Sequence, residues 1–176
     1  MQYYEALGLE PKLALDLEDL KKRFYDRSRQ WHPDRFSRAG AEERQRALDM
    51  TATLNDGFRT LRAPVSRAEY FLEESGIPIP KDAPPELLEE VFEFNMALEE
   101  LRGGDGSARE ALLAAEARFN GMLTEIDALL EGLFPRYDAS GDRAVLDEIR
   151  GALNRRRYIA NLVRDAGKEL NVPIAN

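Results

Sequence analysis

His32 is the single histidine of the chain, and it is followed by Pro33 and Asp34. An imidazole beside a carboxylate could serve as a general base or orient a nucleophile, but that chemistry needs a serine, cysteine or second base within reach. A zinc site needs three or four nitrogen, sulfur or carboxylate ligands around one point. The chain has no cysteine and no other histidine. Asp34 is too near in sequence to serve as a triad partner without a special turn. No catalytic residue, metal site or cofactor is therefore expected. Taken alone, His-Pro-Asp is an ordinary turn in which proline sets φ and aspartate makes a local hydrogen bond.

The elements around the tripeptide give it a position. Upstream, Leu17, Leu20, Phe24, Ser28 and Trp31 recur at helical spacing; downstream, Ala47, Thr51, Leu54, Phe58 and Leu61 do the same. Pro33 interrupts the pattern, since it lacks an amide hydrogen and pushes His32 toward extended geometry. The tripeptide is thus expected in a loop at the tip of an antiparallel helical hairpin, with Leu17, Leu20 and Phe24 packed on Leu54, Phe58 and Leu61. Residues 18–38 carry seven Lys or Arg against four Asp or Glu, although the whole chain has a net charge of −8. Lys22, Tyr25 and Arg29 fall roughly opposite the apolar stripe, with Lys21 on its flank. Such a run is either a solvated helix face or a surface that steers an acidic partner.

In this context the segment from Gln2 to about Gly76 resembles a J-domain, the module with which co-chaperones engage DnaK-type heat-shock ATPases. Tyr3-Tyr4-Glu5-Ala6-Leu7-Gly8-Leu9 resembles the opening helix, Asp16 to Trp31 the second helix, His32-Pro33-Asp34 the signature loop, and Ala41 to Arg62 the third helix. Leu54-Asn55-Asp56-Gly57-Phe58-Arg59-Thr60-Leu61-Arg62 and Arg67-Ala68-Glu69-Tyr70-Phe71-Leu72 are similar to the HscB-like J-proteins of iron–sulfur cluster assembly. Ala63-Pro64 stands where that family usually has Asp-Pro, which should remove a turn hydrogen bond. The resemblance implies contact with the ATPase through His32, Pro33, Asp34, Lys21, Lys22, Tyr25, Arg29 and Arg35.

The chain has 176 residues, 43% of them hydrophobic, enough to bury a core. Its acidity argues against nucleic acid, which needs clustered cations. No run approaches the roughly 20 apolar residues of a membrane span. The helical pattern begins at once, so no signal peptide and a cytoplasmic location are expected. The fold class expected is all-α, an N-terminal J-domain helical hairpin plus a C-terminal three-helix bundle. The divisions expected are residues 1–75, a proline-rich linker 76–85 held stiff by four prolines, a client-binding domain 86–171, and a frayed tail 172–176. The C-terminal helices are expected at Glu86–Leu101, Ala108–Phe134 and Gly141–Leu170. Pro135 should close the second of these, and Ser140 should cap the third.

The helix beginning near Glu86 has two apolar stripes. Leu87, Val91, Phe94, Leu98 and Leu101 form one; Leu88, Phe92 and Met96 form another, rotated by about 100°. Either the helix is buried across a wide face, or the second stripe is an exposed docking patch rimmed by Glu89, Glu93, Glu99 and Glu100. The HscB resemblance implies the latter, with the iron–sulfur scaffold protein IscU held on Val91, Phe92, Asn95, Met96, Glu99 and Tyr158. The function it implies is that of a co-chaperone, not an enzyme, which stimulates a DnaK/HscA-type ATPase and delivers IscU to it. A J-protein with a different client and a helical adaptor without chaperone activity are the rivals.

Overall fold

The computed structural model describes residues 1–171; the tail expected to fray, 172–176, lies outside them. The described residues form seven α-helices, two short 3-10 turns and no strand: α1 Gln2–Leu7, α2 Leu17–Gln30, α3 Ala41–Leu61, α4 Pro64–Glu74, α5 Leu88–Arg102, α6 Ala108–Ser140 and α7 Arg143–Leu170. The all-α expectation holds. The chain divides into two compact units, residues 1–78 with 134–141, and residues 79–133 with 142 onward.

In the first unit, α1 ends because Gly8 takes a left-handed conformation, φ 66°, and its amide bonds back into the helix. Asp16 caps α2, its Oδ1 accepting the amides of Glu18 at 2.9 Å and Asp19 at 3.2 Å. Phe24 stacks on Phe58, ring centres 4.4 Å apart, and the Thr51 hydroxyl lies 3.2 Å from the Trp31 carbonyl. That reversed order is the register of an antiparallel α2–α3 pair. Leu20, Leu54 and Leu61 are fully buried between the helices. Gly57 lets α1 come close: a Cβ there would lie 3.1 Å from Tyr3 Cβ.

One expectation fails here. Leu17 is 49% exposed rather than part of the buried stripe, because it is the first residue of α2. The signature segment joins α2 and α3 with His32 extended, as expected, and within it Pro33–Phe36 forms a 3-10 turn with proline at its first position. Pro64 opens α4 as that helix's first residue, where a missing amide costs nothing. The Ala63 cap has no side-chain hydrogen bond, in line with the departure noted at that position.

Residues 134–141 complete this unit. Asp138 accepts the amides of Leu13 at 2.9 Å and Ala14 at 2.7 Å. Tyr137 meets Phe71 edge-on at 5.7 Å. Arg67, 4% exposed, donates to the carbonyls of Leu13 at 2.7 Å and Leu61 at 2.6 Å, and its guanidinium lies 5.9 Å from the Phe134 ring centre. These contacts explain why α6 does not stop at Phe134. Pro135 sits inside the helix, which runs on to Ser140. Ser140 turns its hydroxyl to the Arg136 carbonyl, and Asp142 caps α7 instead.

In the second unit α5, α7 and α6 as far as Leu133 form a three-helix bundle. Phe94 meets Phe119 edge-on at 5.7 Å, and Leu87, Leu98, Leu112, Ile126, Leu130, Ile149 and Ile159 are also buried in this unit. Arg156 forks onto Asp127 at 2.5 and 3.1 Å, and Arg102 binds Glu169 at 2.6 and 2.9 Å. The entry to α5 is a 3-10 turn, Pro85–Leu87, so the α-helix starts at Leu88 rather than Glu86.

Candidate functional site

The first candidate site is the tip of the α2–α3 pair. Trp31 ends α2, and its amide still bonds to the Arg27 carbonyl at 3.0 Å. His32 is extended, Pro33 starts the 3-10 turn, and the Arg35 amide closes it on the His32 carbonyl at 2.9 Å. The Asp34 amide points to His32 Nδ1 at 3.3 Å, and Asp34 Oδ2 is 3.5 Å from the same nitrogen. The His32 and Asp34 side chains are 59% and 91% exposed. Both side chains stand in solvent, so a partner could reach them.

The cations expected beside the tripeptide are all exposed. Lys21, Lys22 and Tyr25 stand along α2, and Arg29 pairs with Asp26 on its own helix. Arg35 reaches back toward the Arg29 carbonyl at 3.4 Å, which draws the turn toward the end of α2. The site thus offers an imidazole, a carboxylate and a row of cations on a rigid helix. Such a set can recognise an acidic surface. Among the described residues no group of three or more His, Cys, Asp or Glu is placed to hold a metal ion, and no helix is long and apolar enough to cross a membrane.

The second candidate site is the outer face of α5. Phe92 is 67% exposed and Met96 50%, so the second apolar stripe is not part of the core. Asn95 and Glu99 are exposed and Val91 is half-buried. Tyr158, on the neighbouring α7, is half-buried; Arg155, one turn before it, reaches Glu86 at 3.3 Å at the foot of α5. Leu88, which sequence reasoning placed on the stripe but not in the site, is 56% exposed and extends the patch by one turn. Its signal was the four-residue spacing Leu88–Phe92–Met96.

Comparison with known proteins gives the class first. A DnaJ domain family model matches residues 2–70, and a model described as the HSCB C-terminal oligomerisation domain matches residues 83–166. The chain is therefore a J-domain protein with a second helical module. It is 34% identical over 135 residues to a Vibrio vulnificus protein described as a co-chaperone protein HscB homolog, covering 74% of this chain and 78% of that one. A homolog of the same description from Neisseria meningitidis serogroup C is 37% identical over 110 residues, 59% of this chain; the match spans 65% of that relative's length. The solved chaperone HscB from Vibrio cholerae superposes with a TM-score of 0.66 at 28% identity, covering 96% of both chains. The human co-chaperone HscB shares the fold, with a TM-score of 0.69 at 24% identity over 95% of this chain and 81% of that one. The chain belongs to the HscB family of J-domain co-chaperones, a co-chaperone family rather than a catalytic one.

Proposed function

We propose that this protein stimulates the ATPase of a DnaK/HscA-type heat-shock chaperone and delivers an IscU-like iron–sulfur scaffold protein to it, without catalysing a reaction itself. In this reading residues 1–75 act as the J-domain, 76–85 as the linker and 86–171 as the client-binding domain, and the protein works in the cytoplasm. His32, Pro33 and Asp34 make the triggering contact, while Lys21, Lys22, Tyr25, Arg29 and Arg35 orient it. The protein acts by binding one state of its partner better than another, which shifts that partner's equilibrium. Val91, Phe92, Asn95, Met96, Glu99 and Tyr158, joined by Leu88, hold the client.

The observation that carries this reading is the exposure of His32 and Asp34 at the end of a rigid hairpin, beside a cationic helix face. Those side chains contribute nothing to the core, so their replacement should separate function from stability. His32→Gln should leave the melting temperature within error of the wild type and abolish stimulation of the chaperone's ATP hydrolysis. A His32→Gln protein that stimulates at the wild-type rate would overturn the proposal.

A further inference from the structure

Two aromatic rings bracket the exposed turn. The Trp31 indole and the Phe36 ring stack nearly parallel, 10° apart, with centres separated by 5.8 Å. Everything proposed to touch the ATPase at the tip lies between them: His32, Pro33, Asp34 and Arg35. Both rings are half-buried, whereas the three polar residues between them are exposed. We propose that Trp31 and Phe36 are positioning residues, an aromatic staple that holds His32 and Asp34 in the geometry the chaperone ATPase recognises. This inference rests on the function proposed above.

The side-chain hydrogen bonds at the tip are weak or shared, which is why the staple matters. The Asp34 amide to His32 Nδ1 contact is long, at 3.3 Å, and lies in solvent. The Arg35 contact to the Arg29 carbonyl is 3.4 Å and also exposed. The Thr51 hydroxyl divides one proton between the Ala47 carbonyl at 2.8 Å and the Trp31 carbonyl at 3.2 Å. Backbone bonds of ordinary length close the turn and its exit, from the Arg35 amide to the His32 carbonyl at 2.9 Å and from the Ala39 amide to the Phe36 carbonyl at 3.0 Å, but neither holds the His32 or Asp34 side chain. A 3-10 turn of four residues is not stable by itself, because its hydrogen-bond geometry is poor. Trp31 is fixed to the body of the unit through α2, so stacking Phe36 on it ties the far end of the turn to that helix. Offset parallel rings at this separation attract beyond their buried area.

The consequence is a preorganisation effect. When a binding-competent state is only partly populated, apparent affinity falls by that fraction, while the bound complex is unaltered. Phe36→Leu keeps apolar bulk but removes the ring face. It should raise the co-chaperone concentration for half-maximal ATPase stimulation by about two- to tenfold, the range that loss of one aromatic pair corresponds to. Maximal stimulation at saturation should be unchanged. Phe36→Tyr keeps the ring and should restore the wild-type midpoint. A merely structural role would lower the melting temperature and would not produce this split.

Trp31 is the sole tryptophan, so its fluorescence reports the staple directly in the chain alone. Acrylamide should quench Trp31 more efficiently in Phe36→Leu than in the wild type or Phe36→Tyr. The inference is overturned if Phe36→Leu stimulates with the wild-type midpoint, or if Phe36→Tyr behaves like Phe36→Leu. A wild-type chain that fails to stimulate defeats the parent reading and the positioning role with it, whereas unchanged quenching in Phe36→Leu beside normal wild-type stimulation defeats the staple alone.

Discussion

Asp138 offers the sharpest test of how the first unit is held together. Its carboxylate accepts two backbone amides, from Leu13 at 2.9 Å and Ala14 at 2.7 Å, in the connection between α1 and α2. A hydrogen bond to a charged group contributes about 1.5–3 kcal/mol. The Leu13 contact is part-buried and should retain that value. The Ala14 contact is exposed, and its amide can turn to water when the carboxylate is removed. Asp138→Ala should therefore destabilise the unit by about 2–4 kcal/mol, which for a chain of this size lowers Tm by roughly 4–16 °C. Asp138→Asn keeps one carbonyl oxygen and the shape, and should cost about half as much. Trp31 lies in the same unit, so urea titration followed by tryptophan fluorescence reads the relevant transition. An Asp138→Ala midpoint within about 0.5 kcal/mol of the wild type would refute the argument, since that is the ordinary range of surface substitutions.

Three further outcomes follow from exposure and burial. If the α2 cations steer the ATPase, the half-maximal concentration should rise with added salt, because exposed charges are screened over about 8 Å at physiological ionic strength; Lys22→Glu with Arg29→Glu should weaken stimulation with no change in Tm, and salt-independent stimulation by the wild type would remove the steering role. Replacing Leu88, Phe92 and Met96 together by alanine should change stability by no more than about 1 kcal/mol while abolishing scaffold binding in a calorimetric titration and sparing ATPase stimulation; a loss of several kcal/mol would return the stripe to the core. Burial pushes the Tyr4 phenol well above its ordinary value of about 10, and its hydroxyl donates to the Lys12 carbonyl at 2.8 Å. Above pH 10 the unfolded chain ionises and the folded one does not, so stability present below that pH should fall as pH rises; urea melts at pH 9 and pH 11 should differ in the wild type and less so in Tyr4→Phe.

Local signals were legible where the chemistry is local. Gly8 and Asp16 close and open their helices as their residue types require, and Pro33 sets the tip where the helical pattern breaks. The sequence pattern failed where tertiary contacts decide. Leu17 matches the helical period, but as the first residue of α2 it has no turn before it to shelter it. A proline inside a helix costs about 3 kcal/mol. Pro135 is nevertheless carried through, because Phe134, Tyr137 and Asp138 around it are each engaged in the first unit. Those partners lie about 60–125 residues away in sequence, so no window around Pro135 could reveal them. The second stripe of α5 was visible as a pattern, but a period alone cannot say whether a stripe meets protein or water. The structure places Phe92 and Met96 in water.

The side chains that hold residues 80–82 have a consequence for how the chain meets a protease. The Pro80 carbonyl accepts from the Arg157 guanidinium, and the Asp82 carbonyl accepts the buried Asn154 amide at 3.2 Å. Arg157 also holds Asn154 Oδ1 at 3.2 Å, so the two side chains form one clasp on α7. Lys81, exposed between the two engaged carbonyls, looks like an open tryptic site. A protease, however, must draw several residues on either side of the bond into an extended strand, and here that strand's acceptors are already taken. Cleavage at Lys81 must wait for the clasp to let go, so its rate counts those openings rather than the exposure of the lysine.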